Sequence, residues 1–409
     1  MTIKTLRAWE ILDSRGRPTL AVEARLSDGT TATAQVPSGA STGKHEALEL
    51  RDRDPARYAG RGVLRAVANV EGVLQAALSG CPAEDQATVD RRMIAVDGTP
   101  DKRNLGANAI LGVSCAVARA AAMAQGVPLW KRLAGDREPR MPVPMVNIVS
   151  GGLHTLGGIE VQDFLVIPHG FDSLADSLEA VVRVHAFARR TIEKHGYALT
   201  GVADEGGWGP ALDSNERALA ILDEAIEASG CGGRMSIAID VAASHFHRDG
   251  AYFLETEGRR LDAAGMTDLL ESWCDRFPVI SIEDALDEDD WAGWKQLTAR
   301  LGARAQLIGD DLFTTNTVRL RRGIEEGAAN AVLVKMNQIG TLTETFEVID
   351  AARAAGWRAV VSARSGETED SFLADLAVAS GAGQIKIGSI TRSERLAKYN
   401  RLLEVERGM

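Results

Sequence analysis

Four charged residues close short apolar runs in the second half of the chain, and together they could do chemistry. Asp240, Glu283 and Asp310 each end such a run, and Lys335 ends a fourth. If the runs are neighbouring parallel strands of a barrel, their carboxyl ends meet on one face. Three carboxylates at one point repel each other unless a cation lies between them, and all-oxygen ligation selects a hard ion such as Mg²⁺. We therefore predict that the three carboxylates bind magnesium.

A simpler interpretation exists for each charged residue by itself. A single carboxylate could end its strand by pairing with an arginine or by capping the next helix. This interpretation suits one residue better than it suits three at equivalent positions. Lys335, shielded from water beside metal cations, could lose its proton near neutral pH and act as a base. A structural ion pair with one of the same carboxylates is an equally open alternative for this lysine.

Two glycine-containing segments could complete such a site. Residues 203–207 (ADEGG) place two carboxylates before paired glycines, which permit a tight loop that aims a side chain into a cleft. Residues 37–43 (PSGASTG) form a small, hydroxyl-rich loop suited to closing over an anion. Either segment alone could equally be an ordinary solvent-exposed turn.

The amino-terminal part of the chain predicts an α+β domain. Residues 3–36 alternate apolar and polar side chains around two turn signals, which indicates a meander of antiparallel strands. From about residue 62 to residue 133 the periodicity becomes helical. Residues 135–144 contain three prolines and are typical of an interdomain linker. The predicted domains are residues 1–137 and residues 138–409.

The carboxy-terminal part predicts an α/β domain. Near-continuous apolar strands that alternate with amphipathic helices indicate a parallel sheet covered on both faces. At least six such units favour a β/α barrel over an open sheet. The strand-like runs are residues 235–240, 279–283, 305–310, 331–335, 359–362 and 384–387.

Composition limits the class of protein and its partners. The chain has 57 acidic and 46 basic residues, and its net charge of −11 disfavours general attraction to nucleic acid or anionic lipid. The start lacks an apolar signal core and no stretch approaches the roughly 20 apolar residues of a membrane span, so we expect a cytoplasmic protein. The widely spaced cysteines predict buried free thiols instead of a zinc site.

The motifs taken together resemble enolase over nearly the whole chain, from residues 13–19 (DSRGRPT) to residues 393–400 (SERLAKYN). The most specific motifs are residues 281–284 (SIED), 309–313 (GDDLF), 333–344 (LVKMNQIGTLTE), 364–370 (RSGETED) and the loop 37–43. The resemblance implies an α+β lid domain, a β/α barrel that departs slightly from regular alternation, and a homo-oligomer, usually a dimer.

The enolase resemblance also implies how metal and protons would be handled. The three carboxylates would hold one Mg²⁺, and Ser41 would help to hold a second as its loop closes. Lys335 would remove the C2 proton of a small anionic substrate that carries a carboxylate and a phosphoryl or phosphonyl group. Glu205 would protonate the departing C3 hydroxyl, which gives a stepwise elimination with separate acid and base.

Other residues match family positions that contact the substrate. Lys386 would bind the substrate carboxylate. Arg364 and Ser365 match the phosphate-binding pair, where a guanidinium fork suits a tetrahedral oxyanion. His154 and Gln162 also fall on family active-site positions.

Three contact positions depart from the enolase pattern. Ala363 stands where a histidine normally precedes the Arg-Ser pair, Asp163 replaces an active-site glutamate, and Leu153 replaces an acidic residue. All three fall in loops that contact substrate, whereas the proposed metal ligands and acid-base residues remain. This distribution predicts an altered substrate, with random drift as the alternative.

We therefore predict a magnesium-dependent hydro-lyase for a 2-phosphoglycerate-like acid with a modified phosphoryl group. Room beside Ala363 and Asp163 suggests carboxyphosphonoenolpyruvate formation in phosphonate natural-product biosynthesis. One alternative is an ordinary glycolytic enolase that converts 2-phosphoglycerate to phosphoenolpyruvate. The other is a catalytically silent enolase-like binding protein, against which the intact Lys335 and Glu205 argue.

Overall fold

The amino-terminal domain is an antiparallel meander packed against helices. The computed structural model describes residues 1–39, 43–155 and 158–409. The strands pair in the order β1-β2-β3, with β1 at Ile3–Leu12, β2 at Pro18–Leu26 and β3 at Thr31–Gln35. The helices are α1 (Leu64–Asn69), α2 (Gln75–Leu78), α3 (Gln86–Asp97), α4 (Ala107–Ala124) and α5 (Leu129–Ala134). The predicted meander and α+β composition are confirmed.

Helix α4 is the central helix of this domain. Its small residues allow close packing on the sheet: a Cβ added at Gly112 would lie 2.5 Å from Val22 Cγ2. By length and composition α4 could span a membrane, which the sequence pattern did not lead us to expect. Within the described ranges it is the one helix of this kind, and 83% of it is buried inside the protein. We therefore assign it as a core helix.

The carboxy-terminal domain contains a closed barrel of eight strands, which confirms the predicted barrel. The barrel strands are β4 (Val143–Ser150), β5 (Asp163–Pro168), β6 (Met235–Asp240), β10 (Val279–Glu283), β11 (Gln306–Gly309), β12 (Ala331–Val334), β13 (Arg358–Ser362) and β14 (Gly383–Gly388). Between β6 and β10, a separate three-stranded sheet contains β7 (His247–Arg248), β8 (Ala251–Leu254) and β9 (Arg259–Leu261). The helices are α6 (Leu174–Lys194), α7 (Asn215–Ala228), α8 (Ala263–Arg276), α9 (Trp291–Leu301), α10 (Thr317–Glu326), α11 (Met336–Ile339), α12 (Leu342–Ala354), α13 (Phe372–Ser380) and α14 (Ser393–Gly408).

One strand breaks the parallel arrangement that the apolar runs indicated. β5 runs antiparallel to both of its neighbours, β4 and β6. Parallel neighbours need a long crossover, usually a helix, whereas the described residues between β4 and β5 include only a short 3₁₀ turn. The six runs predicted as strands pair in parallel as β6 and β10 to β14, and β5 was not one of them. Its direction could not be predicted, because a buried strand is apolar in either direction.

The barrel interior is filled by an apolar plug. Side chains two positions apart in a strand face the same side, so alternate strand residues point inward. Burial of each large aliphatic side chain stabilises the fold by roughly 1.5–3 kcal/mol. The plug consists of Met145, Leu165, Ile167, Ala238, Ile308, Ala331, Leu333 and Val360, all nearly inaccessible to solvent.

A partly buried ion pair joins the two domains. Arg119 of α4 donates from Nη2 to Asp370 Oδ1 at 2.5 Å and from Nη1 to Oδ2 at 3.0 Å. The Gln35 amide also donates to Asp370 Oδ2, at 2.8 Å. Burial alone would raise the pKa of Asp370, but Arg119 and these hydrogen bonds hold that pKa below its ordinary value. The ionised carboxylate therefore favours the folded, domain-docked state.

Asp370→Asn is expected to lower the free energy of unfolding by about 3 kcal/mol at pH 7, because it leaves Arg119 without its counter-charge. A lowered pKa contributes stability above the ordinary value of about 4, and this contribution disappears as the pH falls through the lowered pKa. Urea unfolding from pH 7 to pH 3 measures both effects. The exposed pair of Arg300 with Asp268 supplies the control, since Asp268→Asn should change stability by less than about 1 kcal/mol. Equal losses in the two variants would contradict the structural role.

Candidate active site

The charged residues of the candidate site stand directly above the apolar plug. Asp240, Asp310 and Lys335 each follow a plug residue of β6, β11 or β12 by two positions, so they face the same side. Glu283 ends β10, and Lys386 lies two residues before the end of β14. Strand periodicity thus places three acids and two lysines around the carboxyl end of one barrel.

Lys386 bridges two of the predicted metal ligands. Its Nζ lies 2.7 Å from Asp240 Oδ2 and 2.7 Å from Glu283 Oε2. Burial and the charge of Asp240 raise the pKa of Glu283 well above its ordinary value. Burial would also raise the pKa of Asp240, but the Lys386 ammonium holds that pKa below its usual value. Lys386, predicted to bind the substrate carboxylate, binds these two carboxylates in this structure.

Lys335 forms an ion pair with the third predicted ligand, Asp310. The second oxygen of Asp310 accepts a hydrogen bond from Gln338 Nε2 at 2.9 Å. Burial alone would lower the pKa of Lys335, but the facing carboxylate raises that pKa above its ordinary value. Lys335 therefore pairs as an ammonium with Asp310, as the ion-pair alternative describes. The loss of its proton beside metal cations stays a prediction.

Asp163, His154 and Glu205 form a row on another side of the cleft. His154 Nδ1 lies 3.2 Å from Asp163 Oδ1, and its Nε2 lies 4.0 Å from Glu205 Oε1. Burial would lower the pKa of His154, but the two carboxylates raise it to about 9. Burial would raise the pKa of Glu205, but nearby cations, Arg395 first among them, hold it below its ordinary value. The proton of this row therefore lies on His154, not on the proposed acid.

Arg364 is buried and donates hydrogen bonds to the side chains of Glu46 and Asn337. Its Nη1 and Nη2 donate to Glu46 Oε2 and Oε1, each at 3.1 Å, and Nη1 also donates to Asn337 Oδ1 at 2.9 Å. Its neighbour Ser365 accepts a hydrogen bond from Arg15 Nη1 at 3.4 Å. Ala363, on the other side of Arg364, contributes a methyl group to the cleft wall.

Most of the predicted residues line one cleft that is open to solvent. Asp240 lines the cleft, and Glu283 and Asp310 adjoin Asp240 and Lys335 beneath it. Ser41 lies outside the described residues. The predicted catalytic and substrate-contact residues that line the cleft are Glu205, Lys335, His154, Gln162, Asp163, Ala363, Arg364, Ser365 and Lys386.

The donor set of Asp240, Glu283 and Asp310 fits a hard cation. All three offer carboxylate oxygens, and Glu283 Oε1 is buried with no hydrogen-bond partner in the described part of the chain. The ammonium groups of Lys386 and Lys335 now balance these carboxylates. Among the described residues, two groups of acids and histidine have ligand atoms mutually within 4.8 Å: His154 with Asp163 and Glu205, and Asp284 with Asp310 and Asp311. The predicted trio of Asp240, Glu283 and Asp310 is not one of these groups, so its three carboxylates do not meet at one point in this structure.

Three residues of the hydrogen-bond network carry no predicted role in the sequence. Glu46 binds Arg364, while Gln338 joins Glu46 to Asp310 and Asn337 accepts from Arg364. Asn337 and Gln338 lie inside the specific motif 333–344, so their position was a usable signal. Glu46 had a weaker signal, because it follows the loop 37–43 by only three residues.

Comparison with known families decides the relationship. Residues 138–409 match the family described as Enolase, C-terminal TIM barrel domain, and residues 3–133 match Enolase, N-terminal domain. The chain belongs to the enolase family. A curated relative named enolase, from Rubrobacter xylanophilus (strain DSM 9941 / JCM 11954 / NBRC 16129 / PRD-1), is 52% identical over 409 residues, which cover 100% of this chain and 95% of that protein.

Membership of the enolase family makes the chain a carbon–oxygen lyase, specifically a hydro-lyase. The family depends on magnesium and takes a small phosphorylated carboxylate. The comparisons give no support to the predicted role in phosphonate biosynthesis, since both domains and the curated relative match enolases. The 52% identity over the whole chain favours the alternative of an ordinary enolase.

Proposed function

We propose that the protein removes water from 2-phosphoglycerate to give phosphoenolpyruvate. The observation that carries the proposal is that Lys335, Glu205 and Arg364 line one cleft together with Asp240. The reaction needs a base at C2, an acid at C3 and a cationic site for the phosphate. Strong identity to an enolase over the full chain adds support.

Lys335 is the proposed base and Glu205 the proposed acid. Lys335 would take the proton from C2, and Glu205 would then protonate the hydroxyl that leaves C3. Because the two groups are separate, the elimination can proceed in two steps. Lys335 has to leave its ion pair with Asp310 and release a proton to solvent first, since a charged ammonium cannot accept a proton.

Glu205 must gain a proton before it can act as an acid. His154, with a pKa of about 9, is protonated at neutral pH, and its Nε2 lies 4.0 Å from Glu205 Oε1. Transfer of this proton to Glu205 would leave a neutral carboxylic acid beside the leaving hydroxyl. His154 and Asp163 would therefore supply the acid with its proton.

Asp240, Glu283 and Asp310 are the proposed magnesium ligands, and Ser41 is proposed for a second ion. When bound, the metal would stabilise the negative charge that develops on the substrate carboxylate. Binding by Asp240 and Glu283 would release Lys386, whose ammonium could then pair with the substrate carboxylate. A homo-oligomer in the cytoplasm stays part of this proposal, by the family resemblance.

A second candidate substrate is an acid with a larger group in place of the phosphate, such as the carboxyphosphono acid predicted from the sequence. The observation that favours it is the methyl side chain of Ala363, which lines the cleft next to Arg364. Leu153 adds an exposed apolar side chain where the family has an acid, with 56% of its surface accessible. The change at Ala363 would suit a substrate that differs at its phosphoryl end, since Ala363 adjoins Arg364.

Steady-state assays with 2-phosphoglycerate separate the two substrates. We expect a kcat/KM of at least about 10⁴ M⁻¹s⁻¹ with Mg²⁺ and loss of turnover with EDTA. Ala363→His should raise kcat/KM about tenfold, because it adds a polar contact beside Arg364. Ala363→Leu, similarly bulky but apolar, is the control and should give no gain. A wild-type protein that ignores 2-phosphoglycerate but dehydrates the carboxyphosphono acid would replace the first proposal with the second.

A further inference from the structure

We infer that Glu46 is a positioning residue that sets the orientation of the Arg364 guanidinium for the substrate phosphate. The inference rests on the proposed function, in which Arg364 binds that phosphate. Two parallel hydrogen bonds of 3.1 Å join the guanidinium fork to the Glu46 carboxylate. Such a bidentate pair fixes the plane of the guanidinium as well as its place. Both side chains are buried, with 4% and 7% of their surfaces accessible.

The Glu46 carboxylate is itself fixed by hydrogen bonds from residues other than Arg364. Oε1 accepts a hydrogen bond from the Gly43 amide at 3.0 Å and from Gln338 Nε2 at 3.3 Å. The Glu46 amide donates to the Gly43 carbonyl at 3.2 Å, and the Ala47 amide donates to the Gln338 carbonyl at 2.8 Å. A carboxylate with this many fixed partners can serve as a rigid support for the arginine.

Charge balance alone does not account for this arrangement. An arginine stays protonated in a protein with or without a neighbouring acid, so Glu46 is not needed to keep Arg364 charged. Asp310 and Asp311 also attract the guanidinium. Without Glu46, the Arg364 guanidinium would be drawn toward Asp310 and Asp311, and its N–H groups would no longer present the same plane to an anion.

The pair also crosses between domains. Glu46 belongs to the amino-terminal domain and Arg364 to the barrel, 318 residues later in the chain. Gln338 Nε2 donates to both Glu46 Oε1 and Asp310 Oδ1, so one hydrogen-bond network connects the Arg364–Glu46 pair to the carboxylates of the barrel. Affinity for a phosphate should therefore depend on a residue that lies outside the barrel.

Glu46→Gln tests the inference through a split between binding and turnover. It should raise KM for 2-phosphoglycerate and the inhibition constant of inorganic phosphate together, each about tenfold, while kcat changes by less than about threefold. If Glu46 merely screened the charge of Arg364, its neutralisation would tighten phosphate binding and lower both KM and the inhibition constant. Unchanged or strengthened phosphate binding would overturn the inference.

Asp370→Asn is the matched control, because it also removes the charge from a buried acid that pairs with an arginine across the domain interface. It should lower the melting temperature and leave the phosphate constant within about twofold. Weaker phosphate binding in both variants would mean that loosened domain contact alone explains the effect. If Glu46→Gln does not fold, Glu46→Asp, one methylene shorter, should still weaken phosphate binding, and unchanged binding would overturn the inference.

Calorimetric titration with inorganic phosphate keeps this test separate from the proposed function. A wild-type protein without turnover of 2-phosphoglycerate would refute the proposed function, whereas weaker phosphate binding in Glu46→Gln would still support the inference. A wild-type protein that does not bind phosphate at all would overturn the inference.

Discussion

Lys335→Ala is expected to lower kcat for dehydration of 2-phosphoglycerate about 10⁴-fold, the upper range for loss of a general base. Lys386, which also lines the cleft, cannot replace it easily, because its ammonium is the proposed partner of the substrate carboxylate. KM should change much less, since the phosphate and carboxylate contacts of the substrate remain. Steady-state kinetics at saturating Mg²⁺ measures both constants.

The control for Lys335→Ala is another buried lysine that pairs with an acid. Lys102 has 1% of its side-chain surface accessible, and its Nζ lies 3.0 Å from Glu344 Oε1. Lys102→Ala should destabilise the protein and leave kcat of the folded fraction within about threefold. Comparable loss of kcat in the two variants would mean that buried charge, not proton transfer, explains the first result.

Glu205→Gln is expected to lower kcat about 10³-fold, because an amide cannot supply the proton that the leaving hydroxyl needs. The glutamine has nearly the same shape, so the cleft should keep its form. The neighbouring residue gives a close control: Asp204→Asn neutralises the other carboxylate of the same loop and should retain kcat within about threefold. Strong loss in Asp204→Asn and little loss in Glu205→Gln would reverse the assignment of the acid.

The location of the site followed from strand periodicity. Asp240, Glu283 and Asp310 close apolar runs, and such runs become barrel strands whose ends meet on one face. That argument needs only residues close together in the sequence. The direction of β5 could not be predicted in the same way, because a fully buried strand has the same apolar pattern whether it runs parallel or antiparallel.

The protonation states depended on contacts that local patterns do not contain. Asp310 faces the ammonium of Lys335 and reverses the effect of burial on the pKa of that lysine. Glu205 was expected to hold a proton, but Arg395 and His154 keep it ionised. Glu46 was missed for the same reason, because its partner Arg364 lies 318 residues away.

Exchange of the C2 hydrogen of 2-phosphoglycerate with deuterium from the solvent, followed by NMR, tests proton removal by Lys335 most directly. We predict exchange in the wild-type protein and in Glu205→Gln, where the base is intact although water is not expelled. Lys335→Ala should show no exchange above the protein-free control. Exchange at the wild-type rate in Lys335→Ala, or its loss in Glu205→Gln alone, would contradict the assignment of Lys335 as the base.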